Sequence, residues 1–439
     1  MLPYSGLLFF YILLLTLIPA VVLGILEKRI KLYGLIINLL FIAVIFYNSK
    51  EQLIYLAFFV IWGFLLVKST LLIKHRPRHG FFIIYCLFTN LFILTFVYYG
   101  KPAQKYAYLI AFLALELILF ITGQLFRYKH RSSFLNWMLI ILSLMPLVYT
   151  KFGSMLLQSG IGFLGISYLT FKIIQTILEI QDGLIKKVSV LDYLYFILFF
   201  PTISSGPIDR TRRFLKDADT ALSRKEYLEL LGEGIWKVFI GSGYKFILAY
   251  LISNYWMNKV PQEHNLLNTL NYMYAYSFYL FFDFAGYSLI AIGISYILGI
   301  KTPENFNRPF ISKDIKDFWN RWHMTLSFWF RDFIYTKFVM AALKNKRLRK
   351  YKYASSYVGY MITMGLMGIW HGTDIYYILY GLYHGLLIIA TDLFQRKVGW
   401  YKKVKDNILW KCLSIFMTFN LICFGFLIFS GYLFVKAKK

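Results

Sequence analysis

The chain has 439 residues, of which 59% are hydrophobic and 16% are charged, whereas ordinary soluble domains are about one quarter charged. This composition excludes an ordinary water-soluble fold, which could not bury so much apolar surface. Apolar runs of about 17–25 residues, the length that crosses a bilayer as a helix, recur from end to end. They predict an all-α polytopic membrane protein.

The net charge is strongly positive, because 48 Lys and Arg face 21 Asp and Glu, which gives +27. The basic residues cluster in short loops between apolar runs, as the positive-inside bias and anionic headgroups favour. A basic cytoplasmic surface that docks an acidic carrier protein is compatible with this. Nucleic-acid binding is not expected, since no basic segment lies in a soluble domain. Three cysteines provide neither a disulfide framework nor a CxxC metal site.

The N-terminal third consists of apolar runs with few polar residues. Basic loops alternate with weakly charged ones, which predicts an outside N-terminus and a retained first helix rather than a signal peptide. For Glu116, the one acid in these runs, a snorkelling role and a functional role both stay open. The six runs lie at about 7–26, 32–48, 53–73, 81–99, 106–122 and 134–149.

A break in the helical pattern follows the seventh run, which spans about 160–182. The sequence PTISSGP, from Pro201, cannot continue a helix because two prolines and a glycine interrupt the backbone ladder. We expect a re-entrant element that ends in a cytoplasmic basic turn. This turn contains Arg210, Arg212 and Arg213, for which a phosphate-binding role competes with a solvated rim.

A charged helix is predicted at 219–233, an apolar run at 234–257 and a further helix at about 270–299. The last contains FFDFAGYS, in which Asp283 lies deep in an apolar stretch. An acid in such a place needs a partner or a water-filled cavity. Structural pairing and a direct role in a site both remain open.

Residues 301–352 sustain no membrane span. Ser312 is a candidate N-cap for a helix running to about Lys337, on which Asp317 and Arg321 are four residues apart, as are His323 and Ser327. Tryptophan, arginine and acids occur on every face of this helix. That pattern fits neither lipid nor open water, and it predicts a segment wedged between other helices at the cytoplasmic entrance.

The C-terminal part adds runs at about 355–369, 376–394 and 408–435. Strict alternation would place the basic C-terminus outside, against the positive-inside rule. One run is therefore predicted to be re-entrant or short, which leaves about eleven crossings and a cytoplasmic C-terminus.

Two histidines are candidate catalytic residues, because histidine takes and returns protons near neutral pH. His371 lies in GIWHG, and its flanking glycines are expected to admit a substrate close to the backbone. A hydrogen bond to a neighbouring helix is the competing interpretation for His371, and His323 has the same ambiguity. No metal site is expected, since His323, His371 and His384 share no ligand spacing and no cysteine or carboxylate joins them.

Four stretches resemble the membrane-bound O-acyltransferase family: LFFDFAGYS at 280–288, PENFNRPF at 303–310, DFWNRWHMTLSFWFRDF at 317–333 and MGIWHG at 367–372. SSGPIDRTRRF at 204–214 is similar to the family's upstream motif. The resemblance implies a ring of membrane helices around a central tunnel. It also implies one membrane domain over 1–439, with scaffold helices at 1–150, an acyltransferase core at 160–385 and a basic loop and helix at 396–439.

The resemblance also implies roles for individual residues. His371 matches the family's catalytic histidine, and His323 matches its second signature histidine near the cytoplasmic entrance. Arg210, Arg212 and Arg213 are expected at the entrance for the carrier's phosphopantetheine. The positions expected to line the tunnel or to support the histidines are Asp283, Asn305, Trp319, Asn320, Arg321, Trp322, Ser327 and Trp370.

The family's donor is an acyl thioester on 4'-phosphopantetheine, which arrives on a carrier protein, so no permanently bound cofactor is expected. After RWH this chain reads RDFIYTKFVMAALKNKRLRK, which favours the branch that transfers D-alanine to teichoic acid in Gram-positive cell walls. That branch implies an acidic D-alanyl carrier protein, an outward-facing DltD-type partner and a small membrane peptide. The alternatives are an O-acetyltransferase of an exported polysaccharide and a transporter or flippase without chemistry.

Overall fold

The computed structural model describes residues 4, 6–75, 132–157, 162–261 and 263–434, and within these ranges it contains helices but no strand. Six of the described helices are long and apolar enough to cross a membrane. The predicted all-α, multi-pass membrane architecture is therefore confirmed. These six candidate spans are Leu8–Ile25, Lys50–Leu71, Arg224–Lys259, Leu266–Ile297, Ile375–Lys397 and Ile408–Phe429.

Two shorter apolar helices, Lys31–Phe46 and Leu139–Phe152, accompany the candidate spans. The predicted runs at 81–99 and 106–122, with Cys86 and Glu116, lie outside the described residues, as does the C-terminal KAKK. The total of about eleven crossings thus stays a prediction.

The chain groups into two compact units. The first comprises Met1–Ala20, Arg29–Ser204 and Arg210–Ala221, and the second comprises Val21–Lys28, Ser205–Asp209 and Leu222–Lys439. The described helices of the first unit are α1 (Leu7–Ile25, whose last turn belongs to the second unit), α2 (Lys31–Phe46), α3 (Lys50–His75), α4 (Ser132–Leu157), α5 (Ile166–Gln181), α6 (Val190–Ile197) and α7 (Thr211–Asp219).

The predicted break before Pro201 is confirmed. Helix α6 ends at Ile197, and a short 3-10 turn, Phe200–Thr202, follows it. The buried Lys172 of α5 donates to the Phe196 carbonyl at 3.1 Å and to the Thr202 hydroxyl at 3.3 Å. A side chain of the protein thus satisfies backbone that the helix leaves unpaired, as a break surrounded by protein requires.

The second unit contains the candidate histidines. Its helices are α8 (Arg224–Ser242), α9 (Ala249–Tyr255), α10 (Leu266–Ile297), α11 (Ile315–Trp319), α12 (Met324–Phe330), α13 (Thr336–Lys344), α14 (Lys346–Arg349), α15 (Lys352–His371), α16 (Ile375–Lys397), α17 (Tyr401–Val404) and α18 (Ile408–Phe429). Wider π-helical turns at Gly243–Leu248 and Arg331–Tyr335 continue α8 into α9 and α12 into α13. The predicted charged helix and apolar run at 219–257 are thus one helical stretch, capped by Ser223 through a capping box with Glu226.

Helices α8 and α10 approach each other through glycines. A Cβ atom added at Gly293 would lie 2.4 Å from the Gly234 carbonyl oxygen, and one added at Gly286 would lie 2.7 Å from the Lys245 amide nitrogen. Both distances are below van der Waals contact, so only glycine permits this backbone approach. Small residues at such contacts are the usual way in which membrane helices pack closely.

The prediction of one continuous helix from Ser312 to about Lys337 is wrong. Helix α11 ends at Trp319 and α12 begins at Met324, and the cap of α11 is Asp314, whose side chain accepts from the Asp317 amide. Between the two helices His323 adopts a left-handed conformation, with φ +42°. The Met324 amide donates to the Asn305 carbonyl at 2.9 Å instead of continuing a helical ladder.

Candidate active site

Asn305 organises the surroundings of His323. Its side chain is fully buried, and its Oδ1 accepts from the Thr325 hydroxyl at 2.7 Å and from the Thr325 amide at 3.4 Å. The Nδ2 of Asn305 donates to the Ser288 hydroxyl on α10 at 3.1 Å. Because a backbone N–H can only donate, the Thr325 amide fixes which end of the Asn305 amide is the oxygen.

This orientation determines the tautomer of His323. The Nδ1 of His323 lies 3.2 Å from Asn305 Oδ1, which can only accept, so Nδ1 carries the proton. In a neutral imidazole the lone pair then lies on Nε2. Nε2 is buried and has no hydrogen-bond partner among the residues that the structure describes. His323 therefore presents an unused acceptor.

Burial keeps His323 neutral. Only 3% of the residue is exposed, and the Phe284 ring packs edge-on against the imidazole at 4.7 Å between centroids. Burial lowers the pKa of His323 well below its ordinary value, and electrostatic repulsion from the nearby His371 lowers it further. The pair is thus close enough to interact.

His371 ends helix α15 within an aromatic cluster. Its ring lies 4.7 Å from Trp370, 5.0 Å from Phe429 of α18, and 6.4 and 6.2 Å from Tyr377 and Tyr380 of α16. His371 is half-buried. Three helices therefore contribute side chains around this imidazole, which lies at a helix terminus where the backbone turns away.

The glycines that flank His371 serve helix packing. A Cβ atom at Gly372 would lie 2.2 Å from the Tyr377 ring, and one at Gly368 would lie 2.4 Å from the Tyr377 carbonyl oxygen. Tyr377 occupies the space that a side chain at either glycine would need. The interpretation that these glycines admit a substrate close to the backbone stays a prediction.

Two of the predicted tryptophans are buried among aromatic residues and His384. Trp322 is buried against Phe306 at 5.0 Å and Phe426 at 4.7 Å. Trp319 is buried, and its ring lies 5.2 Å from His384. These contacts tie the interrupted segment between α11 and α12 to α16 and α18.

The polar residues predicted beside His323 have mainly local contacts. Arg321 donates to Asp317 Oδ1 at 2.7 Å, which confirms the expected pairing at this spacing although the helix is interrupted. Ser327 donates to the Trp322 carbonyl at 3.2 Å, and Asn320 is exposed at the end of α11.

Asp283 has a cationic partner. Lys245, in the π-helical turn between α8 and α9, donates to Asp283 Oδ1 at 2.5 Å. An acid inside an apolar helix is thereby neutralised, as the cost of an unpaired intramembrane charge demands. Of the two roles left open by the sequence, structural pairing is observed.

The basic turn predicted at the entrance belongs to the first unit. Arg210 is the N-cap of α7, and the Arg212 amide donates to Glu179 Oε2 at 3.4 Å. Arg213 forms an ion pair with Asp217 at 2.7 Å, one helical turn away. Arg212 is exposed.

Residues missed by the sequence reasoning include Ser288 and Thr325, although both lie inside the quoted motifs, and Asp392. Asp392 accepts from Lys316, Tyr357 and Arg396 and so joins α11, α15 and α16. Ser288 and Thr325 could have been found from their place as polar residues within the motifs. Within the described ranges, no three His, Cys, Asp or Glu side chains converge as metal ligands.

Comparison with known proteins assigns the family. The model of the MBOAT, membrane-bound O-acyltransferase family matches residues 54–434. The chain belongs to this family. It is 42% identical over 98% of its length, and 98% of the relative's, to "Teichoic acid D-alanyltransferase" of Bacillus subtilis. The protein of the same name from Streptococcus thermophilus is 37% identical over 80% of this chain and 89% of its own.

A second branch of the membrane-bound O-acyltransferase family is also similar, but over less of the chain. "Probable alginate O-acetylase AlgI" of Pseudomonas syringae is 31% identical over 61% of this chain and 49% of its own length. The predicted resemblance to the D-alanyl branch, that of the D-alanyl transfer protein DltB, is thus confirmed. As a member of this family the chain is a membrane-bound acyltransferase.

Proposed function

We propose that this protein transfers D-alanyl groups from a phosphopantetheine thioester toward teichoic acid. One observation carries the proposal: the chain matches a teichoic acid D-alanyltransferase over 98% of both lengths. The two histidines, which interact electrostatically, support it, because thioester transfer to a hydroxyl needs a base and a positioned acyl group.

His371 is the general base of the proposed reaction. An acceptor hydroxyl loses its proton to the imidazole while its oxygen attacks the thioester carbonyl carbon. The ester C–O bond forms and the C–S bond breaks. His371 then returns the proton to the departing pantetheine sulfur, so protons and electron pairs balance.

His323 positions the donor. The Asn305 contact places the lone pair of His323 on Nε2, which has no partner within the described part of the chain. This lone pair is suited to accept a hydrogen bond from an amide N–H of the pantetheine arm. A neutral imidazole suits this role, since the charged form would present a donor in place of an acceptor. In this proposal Trp319, Trp322, Trp370, Ser327 and Asn305 form the wall that holds the arm.

The carrier docks at the basic cytoplasmic side. Five exposed cations lie within one short segment around α14: Lys344, Lys346, Arg347, Arg349 and Lys350. An acidic carrier protein is the partner that such a surface attracts. Arg210, Arg212 and Arg213 belong to the first unit, and we propose separately that they are donors for the phosphate of the pantetheine arm. Carrier affinity should therefore fall as ionic strength rises. Equal affinity at low and high salt would contradict electrostatic docking.

Replacing His371 with alanine tests the chemistry. The variant should reach the membrane at normal abundance and stop incorporation of labelled D-alanine into teichoic acid. His264, an exposed histidine of the same unit, supplies the matched control, and His264→Ala should incorporate label normally. Near-normal incorporation by His371→Ala would refute the assignment.

The acyl group on the carrier separates the alternatives. Purified protein in membranes that contain the acceptor should release D-alanine from a D-alanyl carrier. Preferential transfer of acetyl would favour the polysaccharide O-acetyltransferase. Movement of D-alanine without thioester cleavage would favour a transporter. In this proposal the DltD-type partner and the small membrane peptide act after the His371 step, in the onward transfer of D-alanine.

A further inference from the structure

A chain of hydrogen bonds joins the segment after the Pro201 break to His323. The Ile208 amide donates to the Thr325 hydroxyl oxygen at 3.0 Å, and the Thr325 hydroxyl donates to Asn305 Oδ1 at 2.7 Å. The Nδ1–H of His323 donates to the same Asn305 oxygen at 3.2 Å. All four residues are buried in the second unit, which includes Ser205–Asp209. These contacts are hereafter the Thr325 chain.

The donors and acceptors of the Thr325 chain can be arranged in only one direction. A backbone amide can only donate, so the Ile208 amide occupies a lone pair of the Thr325 oxygen. The single proton of that hydroxyl is then directed to Asn305 Oδ1, which can only accept. The hydroxyl lies at 2.7 Å from Oδ1, whereas the Thr325 amide reaches the same oxygen only at 3.4 Å. The hydroxyl is therefore the stronger of these two anchors for Asn305 Oδ1.

The Thr325 hydroxyl is used differently from two other buried hydroxyls of the second unit. Ser277 and Ser295 of α10 donate to carbonyls of their own helix four residues back, an arrangement that helical hydroxyls often adopt. Thr325 lies in the first turn of α12, and its hydroxyl contacts residues 20 and 117 positions away in the sequence. This hydroxyl thus connects distant segments of the unit.

We propose that Thr325 is a positioning residue for His323. Its hydroxyl, oriented by the Ile208 amide, holds Asn305 Oδ1 against the imidazole, and this oxygen keeps the imidazole proton on Nδ1. Nε2 then presents its lone pair to the pantetheine arm. The inference rests on the proposed function, in which His323 holds that arm.

The Ile208 amide gives the PTISSGPID sequence a role through its backbone. The Ile208 side chain is buried, but the contact with Thr325 uses only the main-chain N–H. This part of the sequence thereby acts on His323 through Thr325 and Asn305, and it needs no side chain at the reacting groups to do so.

Two substitutions at Thr325 separate the effect of its hydroxyl from that of its methyl group. Thr325→Val keeps the branched shape and loses the hydroxyl, so its kcat/KM for release of D-alanine from the carrier should fall about tenfold. Thr325→Ser keeps the hydroxyl and should stay within about twofold of wild type. The matched control is Ser295→Ala, which removes a buried hydroxyl that is bonded within α10 and should retain wild-type kinetics.

The proton position of His323 is the readout that a purely structural role of Thr325 would not change. Nitrogen-15 NMR of histidine-labelled protein distinguishes an imidazole protonated on Nδ1 from one protonated on Nε2, and His323→Asn identifies the signal by its loss. Wild type, Thr325→Ser and Ser295→Ala should have the proton on Nδ1, whereas Thr325→Val should shift it toward Nε2. Wild-type protein with the proton on Nε2 would overturn the inference, and this measurement needs no variant to fold.

Two results with the variants would also overturn the inference. The first is a wild-type proton position in Thr325→Val, and the second is an equal loss of kcat/KM in Thr325→Val and Thr325→Ser. Failure of the proposed function has a different signature. Wild type would then release no D-alanine from the carrier, although the proton position in Thr325→Val would still shift.

Discussion

Replacing Asn305 with alanine should both destabilise the protein and disturb His323. The substitution removes the side-chain hydrogen bonds to Ser288, Thr325 and His323. Each contributes about 1 kcal/mol net, so the free energy of unfolding should fall by about 3 kcal/mol. The Thr325 hydroxyl, which donates to Asn305, can rotate toward another acceptor, but the Nδ1–H of His323 is fixed by its ring.

The same change should reduce transfer. Without Asn305 Oδ1, the imidazole of His323 can carry its proton on either nitrogen. With the proton on Nε2 the ring presents an N–H, whereas the proposed pantetheine arm needs a lone pair there. If poorer positioning raises the activation free energy by about 1.4 to 2.8 kcal/mol, the rate of transfer falls by about 10- to 100-fold. The thermal midpoint and the rate of carrier deacylation measure the two effects separately.

A carboxylate at the same position adds a pH signature. In wild type, burial lowers the pKa of His323, so its imidazole is already neutral at neutral pH and should add no limb to the rate profile there. In Asn305→Asp the buried carboxylate should raise that pKa, because it stabilises the imidazolium. The variant should therefore be least active at low pH and gain activity as pH rises through the raised pKa.

Asn307 offers the matched control. It lies in the same loop, and its residue is exposed, so Asn307→Ala should change neither stability nor rate. The reasoning about Asn305 fails if Asn305→Ala transfers D-alanine at the wild-type rate, or if Asn305→Asp has the wild-type pH profile.

Two further predictions concern packing and charge. Gly293→Ala should lower the thermal midpoint, because its Cβ would lie 2.4 Å from the Gly234 carbonyl oxygen and such overpacking costs about 1–3 kcal/mol. Gly232→Ala is the control and should leave the midpoint unlowered, since a Cβ there would have nothing within 4 Å. A midpoint unchanged in Gly293→Ala would argue against the close contact of α8 and α10. Asp392→Asn should lower the free energy of unfolding by about 1–3 kcal/mol, a range that is discounted because Lys316 and Arg396 are partly exposed. The control, Asp406→Asn at an exposed position, should cause no measurable change in the same unfolding assay. Equal effects of the two would refute a structural role for the Asp392 cluster.

The long helices were predictable because length and hydropathy alone identify segments that suit a bilayer. The sequence also predicted the break at Pro201, where proline and glycine remove backbone hydrogen bonds. The break between Trp319 and Met324 was not predictable in this way, since no proline or glycine lies there. It depends on a distant partner, the Asn305 carbonyl, which accepts the Met324 amide.

The site was predictable to the extent that it lies within continuous motifs. His323, Asn305 and His371 were found there. Ser288 was not, because it meets Asn305 only in the folded chain, and a serine in an apolar run gives no sign of its neighbours. Asp392 was not found either, since its partner Lys316 lies 76 positions away and local spacing carries no information about such a contact.

The left-handed backbone of His323 affects how its chemistry should be measured. With φ +42° and ψ +50°, the residue occupies a region that alanine tolerates poorly and that asparagine and glycine tolerate better. His323→Ala would thus add about 1 kcal/mol of conformational strain to the loss of the imidazole. His323→Asn accommodates the backbone, so a comparison of the two variants separates the geometric demand of this turn from the chemical demand on its side chain.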